Sequence, residues 1–575
     1  MKDKKSIKKI NTTCNETMKL FTMLSGYILL VLLLFSVFQI VKSINLVIVE
    51  ILAIIIPIII YLLKNDKPSK VKIRTITFYL LIVLILPFLY NKTYDFTQDG
   101  NSYHKTAIAF IKNGWNPLYE STKDFQKNNN SVIKIAEDSN VDLWVEHYPK
   151  GTWIIAATIY SMTNNIESGK CITLILLIML FLLSYSIIKP LIDKKWAITI
   201  SLLLAINPIV LVQLFTYYVD GIIGICFAIE LLLLSMITVD KKISSGMIIN
   251  LIAICCLFVN IKFTGLLCSG LIAAVYYFYW IIFSKKKRYQ VFKKMTLIFS
   301  VAFVLAIFIV GSNSYVKNTL DHHNPLYPLF GNGKVDIVTT MQPKSFAKKN
   351  KFEKYIISTF SKTENVIYSE DPTIKLPFKV YRSEIDAMLI PDTRMAGFGP
   401  FTGLITIITV VLLIVVSVLF YKYEKNNFKY LLLSIISILL STILVGESWW
   451  ARYVPQLYLI PIGIVALLVY LKKYCNKKII ASIIAVFILI IVLNASVCFY
   501  ALTREINDFI KVNKDLMSLR KEENLKLRLG GESDDLYGYF YTLNDNNIKY
   551  EIKPEIEEKN MRYVYLWRIG VEIDE

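Results

Sequence analysis

Histidine is almost missing from this sequence, with four residues in 575. No GxxxxGK[ST] phosphate loop occurs anywhere, so the usual cradle for ATP is excluded. The eight cysteines form no CxxC pair, and most lie inside apolar runs. They read as small buried hydrophobes, which argues against both a disulfide framework and a zinc site. Internal repeats and low-complexity linkers are absent as well. Missing too is the scattered amphipathic pattern of a soluble chain. Hydrophobic residues make up 55% of the sequence, aromatics 13%, and the mean hydropathy is +0.50. They come in long unbroken runs, among them Leu29 to Phe35, Ile51 to Leu63 and Ile479 to Leu493. Runs approaching 20 residues mean membrane helices. A soluble enzyme, a disordered chain and a fibrous protein are thereby excluded.

The runs predict about 13 spans, at 19–41, 44–63, 75–90, 170–188, 196–213, 218–238, 246–260, 264–283, 295–313, 399–420, 430–446, 453–471 and 479–500. Segment 75–90 is short, and 246–283 also suits one long kinked helix. The basic stretch MKDKKSIKK precedes the first run without a cleavage-site pattern, so residues 1–18 are expected to be a retained cytoplasmic tail. With that tail inside, the seven short inner segments hold 28 basic residues, whereas the short outer turns hold only Lys42, Lys262 and Arg452. Lysine and arginine favour the inner face, so this asymmetry sets the orientation. The same segments carry six acids, hence a net of +22 against +20 for the whole chain. The basic balance is therefore a membrane-orientation signal, and no nucleic-acid partner is expected.

The bulk outside the spans falls on the outer side: a loop at 91–169, a loop at 314–398 and a tail at 501–575. All four histidines lie in those outer loops. Chemistry is expected there, since loops on a rigid scaffold carry function. Within the first loop, SYHKTAIAFIKNG and GTWIIAATIYSMT read as helices too short to span, lying along the membrane surface. The tail begins with a polar helical stretch from Arg504 to Arg528, followed by strand-like YGYFYTL and MRYVYLWRI. A small α/β domain is expected at 501–575.

Six motifs bear chemistry. In TYDFTQDGNSYHKTA, Asp99 precedes Tyr103 by four residues at the start of a helix. A carboxylate there suits a general base, and equally a helix N-cap. Asp95 is its rival, and His104 follows. EHYPKGTW brings Glu146, His147 and Lys150 to the membrane edge, where Lys150 suits a lipid phosphate or an ordinary interfacial lysine. TYYVDG offers the lone Asp220, and NIKFTG the lone Lys262. An isolated cation at membrane depth is a functional candidate, unless it snorkels to the surface. DHHNPLYPLFG reads as a rigid loop whose adjacent histidines make no metal site. In ESWWARYVPQLYLIP, Arg452 and Tyr453 stand in an aromatic belt, as anchors or as a guanidinium for phosphate.

Taken together, these motifs resemble the GT-C class of membrane glycosyltransferases, such as the protein O-mannosyltransferases and the lipid A aminoarabinose transferases. The resemblance covers most of residues 75–500. Asp99 and Tyr103 match the family's Asp with an aromatic four residues on, although Gly100 replaces the usual acidic second residue. His147, Pro149 and Lys150 look like the family's His/Lys-Pro element without its double proline. Arg452 and Tyr453 look like its late Arg-Tyr-x-x-Pro element, with Pro455 one position early.

The resemblance implies an all-α polytopic membrane protein with a GT-C-like module over 19–500. It further implies transfer of a sugar from a polyprenyl-phosphate donor to an acceptor hydroxyl at the outer face of the plasma membrane. Asp99 would be the base of a single inverting displacement. Lys150, Arg452 and Lys262 would hold the donor phosphate. No nucleotide leaves, so no metal or other cofactor is expected. The partners implied are membrane lipids, the lipid-linked sugar and a glycan, lipid or protein acceptor. Three rivals remain: a polysaccharide polymerase or ligase, which would rely on arginines of the 314–398 loop, a lipid-linked glycan transporter, and a non-catalytic envelope assembly protein in which all six motifs pack or anchor. Against the transporter, only Glu50 and Glu230 lie clearly inside spans.

Overall fold

Long apolar helices dominate the computed structural model. It describes residues 2–63, 69–136, 139–240, 243–283, 286–331, 334–335, 341–366, 370–522, 525–529, 536–552, 561–564 and 569–572. Among them, nine helices are long and apolar enough to cross a membrane: Glu16–Ile40, Leu46–Leu63, Lys70–Tyr90, Ile166–Ile188, Asp220–Asp240, Phe263–Ile282, Tyr289–Asn313, Thr402–Glu424 and Lys477–Leu519. Bare apolar side chains such as Ile59, Val410, Val411, Ile414 and Val418 stand out from them into the surroundings. Such faces suit lipid, and the chain reads as a multi-pass membrane protein.

The expected count of 13 spans is not confirmed. Ser245–Val259, Phe428–Leu444 and Pro455–Leu471 are apolar but shorter than the rest. The segment expected at 196–213 is broken into Lys194–Ala205 and Pro208–Val212. Pro208 has no N–H to give the preceding turn, and Asn207 caps the new start by accepting from the Ile209 N–H at 3.1 Å. The last span does not stop near 500 but runs unbroken to Leu519.

The two short helices of the first loop are present, and both are covered by other parts of the protein. The first is a π-helical turn, Gly100–His104, continuing as Lys105–Lys112, and the second is Gly151–Thr163. Residues 105–111 and 151–160 are buried throughout. Gly151–Thr163 packs against the first two long helices as well as against Lys105–Lys112. A helix apolar on every side is the pattern of a core element.

Among the described residues, the C-terminal unit is a four-stranded sheet with one helix. The strands are β1 (Leu525–Leu529), β2 (Tyr550–Ile552), β3 (Met561–Val564) and β4 (Ile569–Glu572), in the order β2-β1-β4-β3. β1 pairs parallel with β2 and antiparallel with β4. Of the two expected strands, MRYVYLWRI supplies β3 and the start of β4. YGYFYTL instead forms the helix Gly538–Asp545. Its aromatics are buried on both sides, so the run carried no alternation to mark it as a strand.

That helix ties the C-terminal unit to the first loop. The Tyr541 and Tyr537 hydroxyls accept from the N–H groups of Ile133 and Ala136. Asp545 accepts from the Tyr160 hydroxyl and the Ile166 N–H, both at 2.7 Å. Gly538 comes so close to Asn101 that a Cβ would meet its backbone at 2.7 Å.

Candidate functional site

One end of the helix bundle gathers charge from four separate motifs. Asp220 is the first residue of Asp220–Asp240, where the helix N-terminus favours a negative charge. Lys262 precedes Phe263–Ile282 in extended conformation and sets its ammonium 3.2 Å from Asp220. Arg452 sits on the short turn Ala451–Tyr453, held among aromatic faces: Trp450 at 4.5 Å, Tyr453 at 5.1 Å and Tyr218 at 5.2 Å. Such faces stabilise a guanidinium without neutralising it. Its nitrogens reach Asp99 and Asp220 at 3.8 Å each, and Asp392 at 3.0 Å.

Asp99 is not a helix cap. It has helical dihedrals, φ −57° and ψ −40°, and its side chain makes no capping bond. The turn before it is held by others. Asn101 donates to the carbonyls of Asp95 and Thr97, both at 2.8 Å. The Asp99 carboxylate is thus left free for Tyr103, whose hydroxyl donates to it at 3.3 Å. It is surrounded by protein yet 33% exposed, against 5% for Asp220, so it is the acid open to an incoming molecule. Burial lifts its pKa above the ordinary aspartate value, although Arg452 and Lys262 pull the other way. Asp392 is lifted by the same cause to about 6.

The glycine that follows Asp99 has a steric reason. A Cβ at Gly100 would collide with the Asp95 carboxylate and the Thr97 hydroxyl. An acidic residue cannot stand there while Asp95 keeps its place. The π turn is itself a device frequently found at functional sites.

Beside the charges lies an aromatic wall. Tyr103 meets Tyr148 edge-on at 5.9 Å and lies against His104 at 4.3 Å. Trp153 donates its indole N–H to His104 Nδ1 at 2.6 Å, so the proton of the ring sits on Nε2. That Nε2 is buried without a partner. Burial pushes the His104 pKa down to about 3, which keeps the ring neutral. It is a hydrogen-bond donor rather than a charge.

The other sequence candidates stand apart from this cluster. Lys150 is buried and donates to the backbone carbonyls of Glu146, Tyr148 and Asn313, at 2.8, 2.9 and 3.4 Å. Its three donors are used in joining the first loop to the end of Tyr289–Asn313. Glu146 pairs with Lys317 at 3.1 Å. His147 shares a hydrogen bond with Asn318 at 2.9 Å and packs against His322 and Tyr327. Asp95 is fully buried and accepts from Thr97 and from the Tyr217 N–H at 2.6 Å. Among the described residues no group of three His, Cys, Asp or Glu could hold a metal ion.

Sequence reasoning missed Asp392 and Tyr218. Asp392 comes from the long 314–398 loop. Gln213 holds that loop against the Asp220 helix, donating to the Pro391 carbonyl and accepting from the Gly221 N–H. Tyr218 lies inside TYYVDG, two residues before Asp220. No protein-family model matches the chain, and no curated protein matches it significantly.

Proposed function

We propose that the chain is an integral-membrane glycosyltransferase of GT-C type. It would move a sugar from a polyprenyl-phosphate donor to an acceptor hydroxyl at the outer face of the plasma membrane, with the N-terminus cytoplasmic and the C-terminal unit outside. The observation that carries the reading is the convergence of an open carboxylate, Asp99, with a guanidinium and an ammonium, Arg452 and Lys262, at the end of the apolar bundle.

In this reading Asp99 takes the proton of the acceptor hydroxyl. The acceptor oxygen then forms its bond to the anomeric carbon as the bond from that carbon to the phosphate oxygen breaks, with inversion. Arg452 and Lys262 stabilise the charge gathering on the departing phosphate, as preorganised cations do. Tyr103 spends its one hydroxyl proton on Asp99 and steadies it, and His104 stands beside it as a neutral donor. Lys150 serves the scaffold in this version, since its donors are spent on carbonyls.

The test is release of free polyprenyl phosphate from a panel of polyprenyl-phosphate sugars mixed with envelope extract. Wild type should release it and Asp99→Asn should not. Release unchanged by Asp99→Asn moves the base elsewhere, and no release by folded wild type abandons the transfer reading. A polymerase or ligase remains the second reading. It is favoured by one observation, the entry of the 314–398 loop into the charge cluster through Asp392.

A further inference from the structure

Arg452 meets its nearest anion in an unusual way. Its Nε stands 3.0 Å from Asp392 Oδ1, yet the pair makes no aligned hydrogen bond. Arg452 Nε and Nη1 and Asp392 Oδ1 are all buried without hydrogen-bond partners. Orphaned buried groups of this kind are costly and call for an explanation. Here the charges attract but the geometry is unfilled. A guanidinium is a planar fork that wants two parallel acceptors, and a phosphate supplies them.

The charge count points the same way. Three carboxylates, Asp99, Asp220 and Asp392, stand within ion-pair reach of two cations, Arg452 and Lys262, while Arg394 acts on Asp392 from farther off. A phosphate added to that set would meet an excess of negative charge unless one carboxylate leaves or takes a proton. Asp220 is fixed by Lys262 and by its helix N-terminus. Asp99 is tied to Tyr103 on the buried π turn. Asp392 differs. It sits on a turn of the 314–398 loop, and burial makes its charge costly even beside Arg452. The neighbouring Pro391 and Thr393 carry the loop's own tethers, from Gln213 to the Pro391 carbonyl and from the Thr393 hydroxyl to Ala387 and Ile390.

We propose that Asp392 is an internal stand-in for the donor phosphate, holding the Arg452 guanidinium until phosphate takes its place. Binding then exchanges one anion for another at Arg452, and the 314–398 loop moves with the carboxylate it carries. This rests on the phosphate-binding part of the proposed function, and not on the sugar-transfer step. It makes Asp392 a residue that sets affinity by competition, the reverse of one that orients Arg452. The two roles give opposite signs on removal of the charge.

The experiment measures binding of farnesyl phosphate to the purified full-length protein in nanodiscs, with farnesol as the control lacking phosphate. Asp392→Asn should bind about tenfold tighter than wild type, because the competing anion is gone. Asp392→Glu, which restores the charge, should fall back towards wild type. Arg452→Gln should lose the binding. Asp392→Ser, neutral and smaller, repeats the test should the Asn variant fail to fold. Equal or weaker binding by the neutral variants overturns the stand-in role and leaves the transferase reading intact. Binding unchanged by Arg452→Gln, or no binding by any folded variant, overturns the stand-in role and the phosphate site together. Competition at Arg452 without sugar transfer from any donor keeps the inference and removes the transferase.

Discussion

Two charged clusters flank the same stretch of the first loop, and they are built in opposite ways. In one, Glu167 receives Lys105 at 2.5 Å and Lys170 at 2.6 Å, with all three side chains fully buried. Lys105 also donates to Asn101, and Thr542 donates to Glu167 at 2.8 Å. Asp95 is nearby with both carboxylate oxygens partnered. In the other, Arg452 faces three carboxylates at 3.0 to 3.8 Å and leaves two nitrogens without hydrogen bonds. Asp99, which opens onto space, lies in sequence between Asp95 and Lys105, which do not. Burying charge is tolerable when each charged atom has a partner, and in the first cluster both ammonium groups and every carboxylate oxygen of Glu167 and Asp95 have one. The second leaves its bonds unmade. Lack of satisfaction, rather than presence of charge, separates the binding centre from the scaffold.

That contrast can be broken. Its largest test is Glu167→Gln, which removes the carboxylate that both buried ammonium groups pair with and leaves them only the more distant Asp95. About 3–5 kcal/mol of stability should be lost, read as a lower unfolding midpoint in detergent. Asp99→Asn should do the converse. Transfer should fall by about 10²–10⁴-fold while the unfolding midpoint moves little. A large loss of stability here would place Asp99 in the scaffold. Next comes pH. Asp99 must be ionised to act as base, and its pKa is raised by burial. Activity should therefore be full above that raised pKa and drop about tenfold per unit below it, and Asp99→Asn should show no such limb. The smallest effect is expected from Tyr103→Phe, which removes one 3.3 Å hydrogen bond to Asp99. A several-fold loss in kcat, worth about 1 kcal/mol, is the expected outcome.

Much of the helical architecture was legible because apolar runs report membrane helices directly. Breaks within runs were not. Asn207-Pro208 divides a segment whose mean composition still reads as one span. The motifs around Asp99, Asp220, Lys262 and Arg452 drew notice because a charge beside apolar runs is costly, and the structure brings all four together. Asp392 gave no such signal. It sits in a long polar loop where an aspartate costs nothing locally, and only the tertiary fold makes it a neighbour of Arg452. Lys150 shows the reverse case. Its position beside Pro149 and Gly151 suggests a free cation, whereas two carbonyls of its own loop and the distant one of Asn313 consume it. The run YGYFYTL could not declare itself a helix, since both sides are covered and neither period survives.

The contact between Gly538 and Asn101 has a consequence for how the protein is made. Lys105, on the helix that continues from the Asp99 turn, touches Thr542 across 437 positions of sequence. The ribosome delivers the first loop well before its docking helix. Until Gly538–Asp545 arrives, the buried Lys105–Glu167 pair lacks its lid, and the turn bearing Asp99 lacks the surface it rests on. The support under the Asp99 turn thus arrives only after every charged residue of the centre has been made. A chain arrested or cut before that helix would carry every charged residue of the centre yet leave the Asp99 turn without its support.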